Sequence, residues 1–176
     1  MKIVKTLLLF VLALAAVVLV GGLLISPKFS VERSASIGAP PEAVYELIAD
    51  PRRWKEWSVW NRRDPQMAMS YSGAASGAGA VWAWKSASEG DGRMSFTEAE
   101  PGRRIAYELF FPDFGTTSTG ALTLVPEGGG TKITWTVAGE MGRNPVTRWF
   151  ALAMDGMIGK DFDAGLANLK ALAEKR

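Results

Sequence analysis

From Thr6 to Ile25 the chain reads TLLLFVLALAAVVLVGGLLI, without a charge. As a helix, about twenty residues span about 30 Å, the thickness of a bilayer core. All backbone polar groups of such a helix pair internally, so it can cross lipid unaided. Pro27 stops it, and Lys28 is placed for the headgroup level. The pattern then changes period. Phe29, Val31, Ala35 and Ile37 alternate with Ser30, Glu32, Ser34 and Ser36, which predicts a half-buried strand with Arg33 as the odd member of its apolar face. Pro41 opens a helix with apolar positions at Val44, Leu47 and Ile48, and Asp50-Pro51 restarts the chain into a second short helix carrying Trp54 and Trp57. Strands follow near Ala68–Ser72, Ala80–Lys85, Gly92–Glu98, Arg104–Phe111, Thr116–Val125 and Lys132–Gly139, each bounded by Gly or Pro. Glu127-Gly128-Gly129-Gly130 reads as a hairpin tip. Asn144-Pro145 starts a helical stretch whose stripe is Ile158, Phe162, Leu166, Leu169 and Leu172. Gly156 and Gly159 lower helix propensity by about 1 kcal/mol each relative to Ala, and predict a break or kink before the long final helix.

The order is therefore strand, two short helices, six strands and a long terminal helix, behind an apolar N-terminal segment. A long antiparallel sheet with one terminal helix buries both apolar faces by curling around that helix, which makes the fold class α+β. The expected division is a transmembrane anchor over 1–27 and one soluble domain over 28–176.

Three other readings of the first segment fit it less well. Ala13-Leu14-Ala15 mimics a signal-peptide cleavage site, but cutting there leaves AVVLVGGLLI at the new N-terminus. A buried core helix needs a polar face, and this stretch has none. Gly21 and Gly22 lack the small-xxx-small spacing of a dimerising span. Lys2 and Lys5 before the segment balance Lys28 and Arg33 after it, so charge does not set the orientation. Keeping the N-terminus in the cytoplasm avoids carrying two lysines and the terminal amine across. The expected topology is single-pass in a bacterial inner membrane, with the domain in the periplasm.

Composition narrows the chemistry. The 176 residues include no cysteine and no histidine. Disulfides, thiolate nucleophiles, Ser-His-Asp catalysis and lipid attachment through cysteine are thereby excluded, and a zinc site is disfavoured. No metal site and no cofactor are expected. The formal charge of +2 is spread over both signs. Without a basic stripe or an aromatic RNA-binding motif, nucleic acid is not an expected partner.

The order of elements, with Ala39-Pro40-Pro41-Glu42-Ala43-Val44-Tyr45, the run Trp54-Lys55-Glu56-Trp57-Ser58-Val59-Trp60-Asn61-Arg62-Arg63-Asp64-Pro65 and the ending Met157 to Leu169, resembles the START-like (SRPBCC) superfamily, also called polyketide cyclase/dehydrase-like, in a membrane-anchored bacterial branch. The resemblance covers about residues 29 to 174. It implies a helix-grip fold of about seven strands around the C-terminal helix, with a cavity between them, and specifies the fold better than the function. No catalytic signature transfers position by position.

Candidate cavity residues are Trp82, Trp84, Tyr107, Phe111, Trp135, Trp149, Met154, Met157 and Phe162, because aromatics and methionine offer a large, adaptable apolar lining. For each of them core packing is the commoner role. Trp54, Trp57 and Trp60 fit a gate, a lipid contact or, more commonly, packing of the short helices. Arg52, Arg53, Arg62 and Arg63 fit anionic headgroups or a solvated edge. Gly73 to Ala80 is read as a hairpin loop and not as a phosphate cradle, since a strand follows it. Tyr107 and Glu108 are adjacent on a strand, so one of them points inward, and a buried carboxylate there would serve as a base. Glu98, Glu100 and Asp113 are further carboxylates with no distinguishing spacing.

The leading expectation is a membrane-tethered binding domain for a lipophilic small molecule or lipid. The alternatives are a cyclase- or dehydratase-type enzyme using carboxylate and tyrosine acid–base chemistry, and an accessory subunit of a membrane complex. The sequence names no protein partner.

Overall fold

In the computed structural model, residues 2–113 and 115–175 are described. The apolar segment is one helix, α1 (Lys2–Leu24), long and apolar enough to cross a membrane, and its flanks are almost entirely exposed. Ile25, Ser26 and Pro27 link it to β1 (Lys28–Ile37). The strands β2 (Ala68–Gly73), β3 (Ala80–Lys85), β4 (Gly92–Glu100), β5 (Arg104–Phe111), β6 (Thr116–Glu127) and β7 (Gly130–Glu140) form an antiparallel meander, and β1 adds beside β7. The order β1-β7-β6-β5-β4-β3-β2 makes one seven-stranded sheet, the helix-grip architecture the sequence implied. Gly128 and Gly129, both at positive φ, make the two-residue turn between β6 and β7 that a tight hairpin requires.

Period-two alternation decides which side chains face inward. Val31 and Ile37 of β1, Ile133, Trp135 and Val137 of β7, Leu122 and Leu124 of β6, and Ile105 and Tyr107 of β5 are buried on the inner face. Across this face runs α5 (Pro145–Ala173), burying Phe162, Leu166, Leu169 and Ala173. Between α5 and the far half of the sheet sit α2 (Pro41–Ala49), a 3-10 turn at Pro51–Arg53, α3 (Trp54–Trp57) and α4 (Val59–Arg63). The single second helix expected around Trp54 and Trp57 is thus broken into three pieces. Asp50 caps the turn through Arg52 N–H, and Ser58, extended, separates α3 from α4.

The break expected at Gly156 and Gly159 is absent: α5 runs through both. Gly159 has another role. A Cβ there would overlap the guanidinium of Arg33, the odd charged member of the inner face of β1. The missing side chain lets Arg33 pass over the helix, donating to Asp155 at 2.8 Å and Asp163 at 3.2 Å. The hydrogen bond from Arg33 holds the Asp155 carboxyl below its usual range, and that to Asp155 raises Arg33. At the other end of α5, Glu174 accepts from Gly38 N–H and Lys170 donates to Ser36 O.

Trp135 is where these layers meet. Its ring stacks on Phe162 of α5 at 3.9 Å between centroids, and its indole N–H donates to Tyr107 at 3.0 Å. Trp135→Ala is expected to lower stability by about 3–5 kcal/mol, the usual cost of emptying a buried aromatic site. Melting of the full-length protein in mild detergent should fall by on the order of 10 °C; a shift of a degree or two would show that the stack is peripheral.

Candidate functional site

The inner face of the sheet is mostly filled. Trp54 stands among Trp57, Trp82, Phe96, Tyr107 and Trp135, with ring centroids 4.6 to 6.4 Å away. Its indole N–H donates to Ile48 O, and that of Trp57 to Leu47 O, so the buried polar edges of both rings are satisfied. Tyr107 donates its hydroxyl to Thr136 O and accepts from Trp135, and burial pushes its ionisation well above the ordinary range. Gly120 leaves the space that the Tyr107 ring occupies. That hydroxyl is a structural link.

What stays open is a pocket of about 120 Å³ between the short helices and strands β2–β5, rather than against α5. Its floor is Trp82, Met94 and Leu109, its near wall Trp54, Ser58, Trp60 and Asn61, and its rim Met67, Met69, Trp84, Phe111 and Glu89. The lining is largely apolar. Trp84 is held over Gly92, where a Cβ would enter the indole, and meets Phe111 edge-on at 6.0 Å. The Asn61 amide lies 3.6 and 3.7 Å from the sulfurs of Met67 and Met69. The volume compares with apolar cavities that take one benzene ring, and is below that of a pocket enclosing a whole drug-sized ligand. A second, open groove lies beside it, over Ala83, Arg93, Phe110 and Pro112.

Strand register places the pocket relative to α1. Lys28 pairs with Glu140, Phe111 with Thr116, Phe110 with Arg93, Trp84 with Gly92, and Ala68 with Lys85. These pairs run across one end of the sheet, so the rim residues Met67, Trp84, Glu89 and Phe111 lie at the strand ends that include the α1–β1 connection.

The rim is tied by charge. Arg63 donates to both oxygens of Glu89, at 3.0 and 2.8 Å, and to both oxygens of Asp161, at 2.7 and 2.9 Å. Trp60 N–H also reaches Asp161, at 3.0 Å. These two carboxylates push the Arg63 guanidinium above its ordinary range, chiefly through the hydrogen bonds. Ser86 donates to Asp64 at 2.6 Å and accepts from Glu89 N–H. The loop between β3 and β4 is thereby fastened to α4 and α5.

Of the residues expected to line a cavity, Trp82, Trp84 and Phe111 do so. Tyr107, Trp135 and Phe162 are buried in the core, and Met154 is half-buried against it. Trp149 and Met157 lie exposed on the first turns of α5. Trp57 packs, while Trp54 and Trp60 are both packing and wall. Arg63, read as a solvated edge or a headgroup contact, bridges Glu89 and Asp161 instead. Glu108 is exposed, so Tyr107 is the inward member of that pair; Glu98, Glu100 and Asp113 are exposed too, the ordinary placement of a carboxylate. Met67, Met69, Met94 and Leu109 were not anticipated. Leu109 stands at period two between Tyr107 and Phe111, a signal present in the sequence.

A family model described as polyketide cyclase / dehydrase and lipid transport matches residues 28–174. No curated protein matches the sequence. Among solved structures, an uncharacterized protein from Rhizobium leguminosarum is 18% identical with a TM-score of 0.63, covering 85% of this chain and 96% of that one. A protein from Chromobacterium violaceum is 20% identical with a TM-score of 0.58, covering 83% and 98%. The di-domain ARO/CYC StfQ from the steffimycin biosynthetic pathway is 15% identical with a TM-score of 0.64, covering 85% of this chain and 52% of StfQ. At these identities the likeness is one of fold.

Arg63→Ala should free the rim. With Arg63 nearly half exposed, its ties are worth about 1 kcal/mol. Amide exchange over residues 86–91 is expected to quicken roughly fivefold, with β5 and β6 unchanged, by hydrogen-exchange mass spectrometry; unchanged loop rates would mean the serine contacts alone hold it.

Proposed function

The chain belongs to the polyketide cyclase/dehydrase and lipid transport family, and we propose that it is a membrane-tethered binding protein for a lipophilic molecule, of which it encloses one apolar end, a ring or a chain terminus. The carrying observation is the pocket between α3, α4 and β2–β5, apolar, partly enclosed and about 120 Å³ in volume. Burial of one ring or a few methylenes there is favourable by about 0.8 kcal/mol per CH₂. Three methionines, Met67, Met69 and Met94, supply a wall that adapts to irregular shapes. Ser58 and Asn61 offer the few polar contacts that orient a ligand.

The membrane enters through α1. Its apolar surface has no protein cover over most of its length, which fits insertion in lipid and not a soluble core. The domain is proposed to stand on the periplasmic side of a bacterial inner membrane. With Ile25-Ser26-Pro27 as the whole linker, it works beside the bilayer and does not shuttle between membranes.

The acid–base alternative finds less support. Glu89 is the ionisable group of the pocket lining, and both its oxygens accept from Arg63. Tyr107 and Glu108 do not reach the pocket together.

Native mass spectrometry of the full-length protein, released from detergent, is expected to show a retained lipophilic adduct. Leu109→Trp, which fills the pocket, should lower adduct occupancy at least tenfold while a melting curve shows the fold intact. A wild-type protein that carries no adduct and takes up neither fatty acids nor naphthalene would overturn the reading, as would unchanged occupancy in Leu109→Trp.

A further inference from the structure

The first turns of α5 carry an apolar stripe that packs on nothing in the domain. Val146, Trp149, Phe150, Ala153 and Met157 recur at i, i+3, i+4, i+7 and i+11, one face of a helix, and all are exposed. Leu152 extends that face, at 66% exposure, and Phe150 and Met157 are more than half exposed. The opposite face is engaged: Thr147 donates to Met141 O, Asp155 accepts from Arg33, and Met154 and Ile158 pack on the core. The stripe carries no charge until Lys160. Single exposed apolar residues need no explanation, but a contiguous stripe does.

Its neighbour indicates what covers it. α1 crosses the start of α5 at Gly22, where a Cβ would overlap the Pro145 carbonyl, and Gly21 leaves room for the Trp149 ring. Trp149 N–H donates to Val18 O at 3.0 Å, and Arg148 donates to Leu23 O at 3.2 Å. Val18 lies six residues before the end of α1, about 9 Å back along its axis. Whatever surrounds α1 at Val18 therefore meets Trp149 and the stripe that continues from it. Nine ångströms back from the end of a spanning helix lies just below the headgroup–acyl boundary, within the depth of about 5–10 Å to which interfacial amphipathic helices bury their apolar face and next to the belt where Trp is enriched.

We propose that the Val146–Met157 face of α5 is a second, non-spanning membrane element that docks in the lipid interface beside α1 and fixes the domain's orientation on the bilayer. This rests on the reading of α1 as a membrane span. It adds that the anchor is not a loose tether. The stripe and the pocket rim both lie at the sheet end where β1 begins, so docking keeps the rim close to the lipid surface.

The chain contains no cysteine, so single cysteines can be labelled cleanly. Full-length Leu12→Cys, Ala153→Cys and Ala164→Cys, all at exposed positions, would carry an NBD fluorophore in phosphatidylcholine/phosphatidylglycerol vesicles. Ala164 lies on the same helix face about 16 Å farther along. The expected result is deep quenching by 12-doxyl lipid at 12, preferential quenching by 5-doxyl lipid at 153, and iodide quenching at 164 at least fivefold stronger than at 153. Iodide access at 153 equal to that at 164, with 12 still in lipid, would overturn the docking and leave the anchor standing. A label at 153 shielded from both iodide and nitroxide lipid would overturn it in favour of a protein cover, such as a second copy. Iodide access at 12 would overturn both readings.

Discussion

The fold depends on how one indole is satisfied. Trp135 presents its face to Phe162, one edge to Trp54 and Trp57, and its N–H to Tyr107. A buried N–H without an acceptor would destabilise the core by the desolvation of that group. Here the acceptor is a tyrosine that itself reaches a main-chain carbonyl on the strand bearing Trp135, across a glycine that makes the reach possible. The polar link joins β5 to β7, and the long helix and α3 pack their rings on the indole it holds. Directional hydrogen bonding within the sheet fixes the orientation of the Trp135 ring, and Phe162 of α5 stacks on the ring so held. Gly165 allows the same approach, since a Cβ there would lie 3.1 Å from the Trp135 ring.

That packing also explains why the pocket is small and where it lies. The tryptophans of α3 occupy the space between sheet and long helix, leaving room only toward β2–β5. The remaining cleft is bounded on its open side by the Arg63 bridge to Glu89 and Asp161. Core and pocket thus draw on one aromatic set: Trp54 and Trp82 are buried and also line the pocket.

The strands were legible to within one or two residues at most ends, because alternation and flanking glycines are local signals. Helix α5 was legible from its stripe, but its continuity was not. The reason for Gly159 is a contact with Arg33, far away in sequence, and no local rule reveals a partner of that kind. Arg33 itself looked like an error in the apolar face of β1 and is explained by the same contact. The lining of the pocket was legible only in smaller part. Choosing aromatics found Trp82, Trp84 and Phe111, but the same rule gathered Tyr107, Trp135 and Phe162, which have the same residue types and are core. What separates the two groups is the placement of Trp54, a tertiary fact. Trp149 and Met157 have the residue types of a cavity lining and lie outside.

The size of the pocket has a kinetic consequence. About six enclosed non-hydrogen atoms, at the ceiling of about −1.5 kcal/mol each, bring at most about −9 kcal/mol, and ordinary ligands fall well short of that. Affinity measured in water would be weak and exchange fast. A bilayer changes the terms, because a lipophilic molecule partitions into it and reaches local concentrations far above its aqueous level. On the proposed reading, a 120 Å³ pocket beside such a reservoir would fill by mass action and empty quickly, which would suit repeated sampling of the membrane's contents better than long-term storage of any one molecule.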